Sequence, residues 1–187
     1  MAVLTIDESF LERWSQRYAD RATAAGAALE RQLFNDVGPA ARARMHLEMD
    51  ELLQIGRWKA ARSASHLSRN DPINVRHVTR AAFAPKAVER LSILTTLYGV
   101  QDAMASSILT VWSPEQYTVW DVRAIWTMQQ AGLIEDRAPF GWYLISCRAL
   151  ADSLAVSATD VSKLRTLDRA LWQYSKENQP PVVRGTR

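Results

Sequence analysis

Apolar residues recur three and four positions apart along almost the whole chain, and no stretch alternates apolar and polar residues between turns, so the pattern predicts an all-α fold. Asp7 is placed to cap the first helix, whose stripe of Phe10, Leu11, Trp14, Tyr18, Leu29 and Leu33 fades across an Ala-rich middle around Gly26. Gly38-Pro39 predicts the end of that helix and the start of the next, with Leu47, Leu52, Leu53 and Ile55 as a buried face ahead of Gly56. A third helix is expected over about 58–68, closed by Asn70-Asp71-Pro72. Pro72 suits the first turn of a helix whose core face is Val75, Val78 and Phe83. Pro85 starts a helix with Val88, Leu91, Leu94 and Leu97 inward, and residues 104–112 form the arm that follows it. After an extended link through Tyr117 and Val119, helices are expected over about 121–130, stopping at Gly132, over 139–154 and over about 159–176. Residues 179–187, opening on Gln179-Pro180-Pro181, read as a flexible tail.

The 187 residues are enough for one sizeable core or two small lobes sharing an interface, and an apolar fraction of 48% is ordinary for a folded protein. The single Cys147 excludes an intramolecular disulfide, and a cysteine-held zinc or iron–sulfur site built from this chain alone; it reads as a buried core thiol. His46, His66 and His77 make no metal-ligand pattern with acidic residues, so neither a metal nor another cofactor is expected. No basic leader with an apolar run and no membrane-length apolar stretch is present, which predicts a cytoplasmic protein without a membrane partner. The net charge of +3 is small, but its distribution is uneven. Between 57 and 90 the bases Arg57, Lys59, Arg62, Arg69, Arg76, Arg80, Lys86 and Arg90 face only Asp71 and Glu89. Such a segment suits phosphate contacts, and equally an ordinary solvated face of basic helices.

Residues 99–121 read Gly-Val-Gln-Asp-Ala-Met-Ala-Ser-Ser-Ile-Leu-Thr-Val-Trp-Ser-Pro-Glu-Gln-Tyr-Thr-Val-Trp-Asp: a turn between two apolar helices, then a carboxylate at the start of a third. This stretch resembles the helix-hairpin-helix DNA glycosylase superfamily. Leu97, Gly99, Val100 and Ala105 match its hairpin, and Asp121 falls at the family's distance for the catalytic aspartate. Arg57-Trp58-Lys59 and the run from Asp168 to Lys176 are similar to bacterial proteins with an 8-oxoguanine-glycosylase-like fold. The resemblance implies one unit over 1–178, with a hairpin at about 86–112. Its N- and C-terminal helices would form one lobe and its hairpin helices the other, with the active site in the cleft between them. It further implies a monomer acting on double-stranded DNA with a flipped nucleotide. At Ala103, where lyase-type members carry a Schiff-base lysine, there is no amine. The implied activity is therefore a monofunctional glycosylase that hydrolyses the N-glycosyl bond of a damaged or modified base. An oxidised purine is one such base; a bulky modified base of viral DNA, excised in antiviral defence, is another. Lys59 and Lys86 are other amines, which the sequence does not place beside Asp121.

The chemistry expected of these residues is specific. A tight turn at Gly99 and the start of the next helix, including Gln101 and Ala103, would aim amide N–H groups at a phosphate. Gln101 stands where the family has a second glycine, and a positive φ there would strain it; Asp102 reads best as the cap of its own helix. An ionised Asp121 can stabilise the cationic sugar and orient the attacking water, and it can also simply cap the following helix. Arg57, Lys59 and Arg62 are the expected backbone contacts. Among Trp58, Trp112, Trp120 and Trp172, the residues Trp58, Trp120 and Trp172 are the candidate walls of a base pocket, against ordinary core packing as the alternative. Two other functions remain open on the sequence: a non-catalytic helix-hairpin-helix DNA-binding protein, and a helical scaffold for protein interaction.

Overall fold

The computed structural model describes residues 4–84, 86, 89–155 and 161–181, and among these every regular element is helical. Helix α1 (Glu8–Arg21) is capped by Asp7, whose carboxylate accepts from the Phe10 amide at 2.8 Å. The first helix does not run on into the Ala-rich segment. Ala22 turns extended, and Thr23 begins α2 (Ala24–Gln32) with its hydroxyl accepting from the Gly26 amide.

Gly38-Pro39, expected to separate two helices, lies inside a continuous helical run. A π-helical turn (Leu33–Val37) leads into α3 (Gly38–Arg44), with the Gly38 amide donating to the Leu33 carbonyl. The wider turn accommodates a proline that has no donor of its own. Only glycine fits at 38, because a Cβ there would lie 2.3 Å from the Val111 carbonyl oxygen. The break comes later, at Met45, which is left-handed at φ 60°.

Helix α4 (Met49–Lys59) opens with a reciprocal capping box between Glu48 and Glu51 and runs through Gly56. The helix expected over 58–68 is therefore not formed. Trp58 and Lys59 end α4, Ala60 is extended, and a 3-10 turn (Ala61–Ser63) and the short α5 (Ala64–Leu67) follow. Pro72 stands in the first turn of α6 (Pro72–Phe83) as expected, and Asp71, expected only in the preceding turn, caps it. Pro85 and Val88, the expected start of the next helix, lie outside the described residues; α7 covers only Arg90–Leu94. The remaining helices are α8 (Asp102–Trp112), α9 (Val122–Gln130), α10 (Phe140–Ser153) and α11 (Lys163–Asn178). Most of the expected tail, 182–187, lies outside the described residues.

Buried apolar side chains sort into two clusters. One runs from Leu33 to Trp112 and includes Ile55, Phe83, Leu97 and Ile108. The other joins Phe10, Leu11 and Trp14 of α1 to Met128, Tyr143, Cys147, Leu167 and Leu171 of α9, α10 and α11. A link over 113–121, a turn at 114–116 followed by non-helical chain, passes from the first cluster to the second and is held at both ends. The Ser162 hydroxyl donates to the Pro114 carbonyl at 2.8 Å, the Trp120 amide to the Ser106 hydroxyl at 2.9 Å, and the Tyr143 hydroxyl to the Val119 carbonyl at 3.2 Å. This link delivers Asp121 to the junction of the clusters. No described helix is long and apolar enough to cross a membrane.

Candidate functional site

Asp121 caps α9 with one oxygen, Oδ1 accepting from the Arg123 amide at 2.9 Å, and turns the other toward a pocket of about 250 Å³. That second oxygen, Oδ2, is ion-paired with the Lys59 ammonium, carried there by the last turn of α4. The two side chains keep 15% and 16% of their surface exposed. The break at Ala60 explains the meeting: a helix over 58–68 would carry Lys59 in its first turn, whereas α4 runs through Gly56 and stops at Ala60, so that Lys59 ends α4 beside the start of α9. Lys59 thus belongs to the pocket rather than to a basic face shared with Arg57 and Arg62, both of which are exposed.

Deeper in the same pocket lies a second, more buried set of charges. Glu30 of α2 accepts from Arg165 Nε at 3.0 Å and Nη2 at 2.7 Å, from Arg169 Nε at 2.9 Å and from the Tyr18 hydroxyl at 2.7 Å. Arg165 also pairs with Asp168, one helical turn along α11. Burial pushes the Glu30 carboxyl up, but Arg165, Arg169 and the hydrogen bonds outweigh it and hold it at about 2. Asp168 goes the other way. Burial raises it, Arg165 and Lys59 offset only part of the rise, and the Asp121 charge adds to it. The two sets of ion pairs are therefore electrostatically in touch. Burial also raises the Tyr18 hydroxyl to about 12, against the pull of Arg165, so it serves as a neutral donor to Glu30.

Aromatic side chains complete the walls. Trp58 and Trp172 line the pocket with Tyr18, and the Trp172 indole meets the Tyr18 ring edge-on at 5.8 Å. Trp120 does not join them; its ring packs on Phe140 at 5.8 Å beside the second cluster. Trp112 stacks on Phe83 at 4.5 Å within the first. Cys147 is a buried free thiol, pushed up to about 12 by burial and so inert as a nucleophile. Among the described residues no group of His, Cys, Asp and Glu is arranged to hold a metal ion.

The hairpin lies apart from the pocket, which none of Gly99, Gln101 and Ala103 lines. Gly99 has φ +77°, and a Cβ there would approach His66 Cβ to 2.8 Å, so the glycine is required twice over. Asn70 clasps the turn, its amide donating to the Tyr98 carbonyl and its oxygen accepting from the Tyr98 amide, at 2.9 and 2.8 Å. Gln101 carries no strain, contrary to the concern at that position. Its φ is −99° and ψ 175°, extended backbone open to any residue, and it occupies the N-cap of α8. Asp102 is not the cap but the first helical residue, where its charge favours the helix dipole. Met104 is the first intrahelical donor, bonding the Gln101 carbonyl, so the preceding amides at this exposed end have no partner within the helix.

The basic segment is largely engaged in contacts of its own. Arg76 bonds Glu48 at 2.7 Å, Arg80 reaches His46 at 3.1 Å, and the Arg69 guanidinium stacks 4.2 Å over Tyr98. Glu30 and Arg165 were given no role by sequence reasoning, Tyr18 stood only in the apolar stripe of the first helix, and Asp168 only in the run that carries the resemblance. A signal for Arg165 and Asp168 exists: with Trp172 they stand at i, i+3 and i+7, so charge falls on one helical face where core residues would be expected. No protein family model matches the chain, and no match is found among curated proteins or solved structures.

Proposed function

We propose that the chain is a monofunctional DNA glycosylase that draws a damaged or modified nucleotide out of the duplex and hydrolyses its N-glycosyl bond. The observation that carries this reading is Asp121 Oδ2: a carboxylate oxygen, released from the helix cap, facing an open pocket walled by Tyr18, Trp58 and Trp172. Aromatic walls suit a flipped base, and an ionised carboxylate suits the cationic sugar left as the base departs. In the reaction, water attacks C1′ while the glycosidic bond breaks. The electron pair leaves with the base nitrogen, and the water proton passes by way of Asp121 to solvent or base. In this reading Lys59 holds and orients the Asp121 carboxylate and does not attack the sugar. The exposed start of α8 after Gly99 supports a backbone contact to phosphate.

A second reading is favoured by the same residue. Both oxygens of Asp121 have partners, which fits a non-catalytic DNA-binding module in which the carboxylate only caps α9 and anchors Lys59. Incubating the protein with genomic and viral DNAs of differing base modification separates the two. Release of free base with formation of alkali-labile sites, abolished in Asp121→Asn, supports the enzyme. DNA binding without base release from any of them supports the module.

A further inference from the structure

The charges around the pocket do not balance evenly. Behind its walls, Lys59 is matched by Asp121, and Arg165 and Arg169 by Glu30 and Asp168. At its mouth the count is one-sided. Arg21 at the end of α1 and Lys176 near the end of α11 both line the pocket and are exposed, and neither has a hydrogen bond or ion pair among the described residues. Lys176 Nζ stands 4.8 Å over the Trp172 ring, and the Arg123 guanidinium stands 5.8 Å from the same ring. The nearby carboxylate Glu177, which also senses Arg21, is already taken by Arg17 at 2.6 Å and by the Gln173 amide. Two cations gathered on one indole, with Arg21 lining the same pocket, concentrate positive charge that an anion there would neutralise.

We infer that Arg21, Arg123 and Lys176 form a phosphate clamp around Trp172 at the mouth of the pocket. The clamp would grip the DNA phosphodiester flanking the nucleotide whose base has entered. This inference rests on the proposed glycosylase reading and adds to it a contact surface on α1, α9 and α11, distinct from the hairpin and from the exposed bases Arg57 and Arg62. The arrangement has a functional logic. The phosphates are bound beside the ring, and the balanced charges within leave the pocket free for a base without net attraction for an anion.

Counterion release gives the test. Each phosphate neutralised contributes about 0.9 to the slope of log affinity against log salt concentration. Fluorescence anisotropy on a labelled duplex carrying a tetrahydrofuran abasic analogue, across NaCl from about 50 to 200 mM, should show a slope lower by about 2 to 3 in Arg21→Ala/Arg123→Ala/Lys176→Ala than in the unaltered protein. The charge-preserving Arg21→Lys/Arg123→Lys/Lys176→Arg should keep the slope, with circular dichroism confirming that both variants fold. An unaltered protein that binds with the same slope as the alanine variant overturns the clamp and leaves the glycosylase reading standing, as does a charge-preserving variant that loses as much as the alanine one. Failure of the unaltered protein to bind this duplex at low salt overturns the glycosylase reading itself.

Discussion

The Lys59–Asp121 pair and the Glu30–Arg165–Asp168 network share the walls of one pocket but differ in how far they have left water. The first keeps 15–16% of its side-chain surface; in the second Arg165 and Glu30 keep 5% and 8%, and Asp168 only 3%. A buried charge that loses its partner is costly, whereas a partly solvated one can fall back on water. The inner network therefore serves the architecture, tying α1, α2 and α11 together beneath the pocket. The outer pair can exchange its partner for a substrate or a water molecule. The difference teaches that stability and chemistry are carried here by neighbouring but separable charges, and substitutions should pull them apart.

The sharpest break should come at Arg165. Arg165→Met leaves Asp168 buried without its guanidinium and Glu30 with only Arg169 for a cation, at a cost of about 3–5 kcal/mol in urea unfolding. A loss below about 1 kcal/mol would mean that the network holds little together. Next are its two carboxylates, whose contributions have opposite signs. Glu30 is held below its ordinary value, so it contributes stability that is fully present above pH 4.5 and is lost as pH falls toward about 2. Asp168 is raised, so its ionisation in the folded state works against stability above its ordinary range. Glu30→Gln should therefore destabilise more than Asp168→Asn, and should flatten the stability profile between about pH 4.5 and 2. Equal losses would remove the distinction drawn between the two.

At the outer pair the stability effect should shrink. Lys59→Gln leaves Asp121 still capping α9 and close to water, for a loss of about 1 kcal/mol, while base release slows because the carboxylate loses the ammonium that orients it. Borohydride added to a reaction of the unaltered protein should trap no protein–DNA adduct; a trapped adduct lost in Lys59→Gln would make Lys59 a nucleophile and the hydrolytic account wrong.

The helical class, the Asp7 cap, Pro72 in the first turn of α6 and the positions of α8, α9 and α10 were legible in the sequence, because capping residues and apolar spacing act locally. The errors have physical causes. Gly38-Pro39 was taken for a break because a π-helical turn leaves no compositional mark, and the glycine serves a distant carbonyl of α8 rather than a bend. The stop at Ala60 was missed because alanine is a strong helix former, and only the tertiary fold turns it out. That one miss hid the pairing of Lys59 with Asp121. The hairpin was readable as one contiguous segment, while the pocket draws on residues from Tyr18 to Lys176, whose meeting no local pattern encodes.

The residue with the largest expected change in chemistry should cost little stability. Asn caps helices about as well as Asp, so Asp121→Asn keeps the α9 cap, loses the Lys59 ion pair and should unfold within about 1 kcal/mol of the unaltered protein. Single-turnover base release measured on the same two samples, with the DNA identified by the modification screen, is the direct test. The account predicts a rate lower by about 10²–10⁴-fold with DNA affinity preserved; equal rates would contradict it.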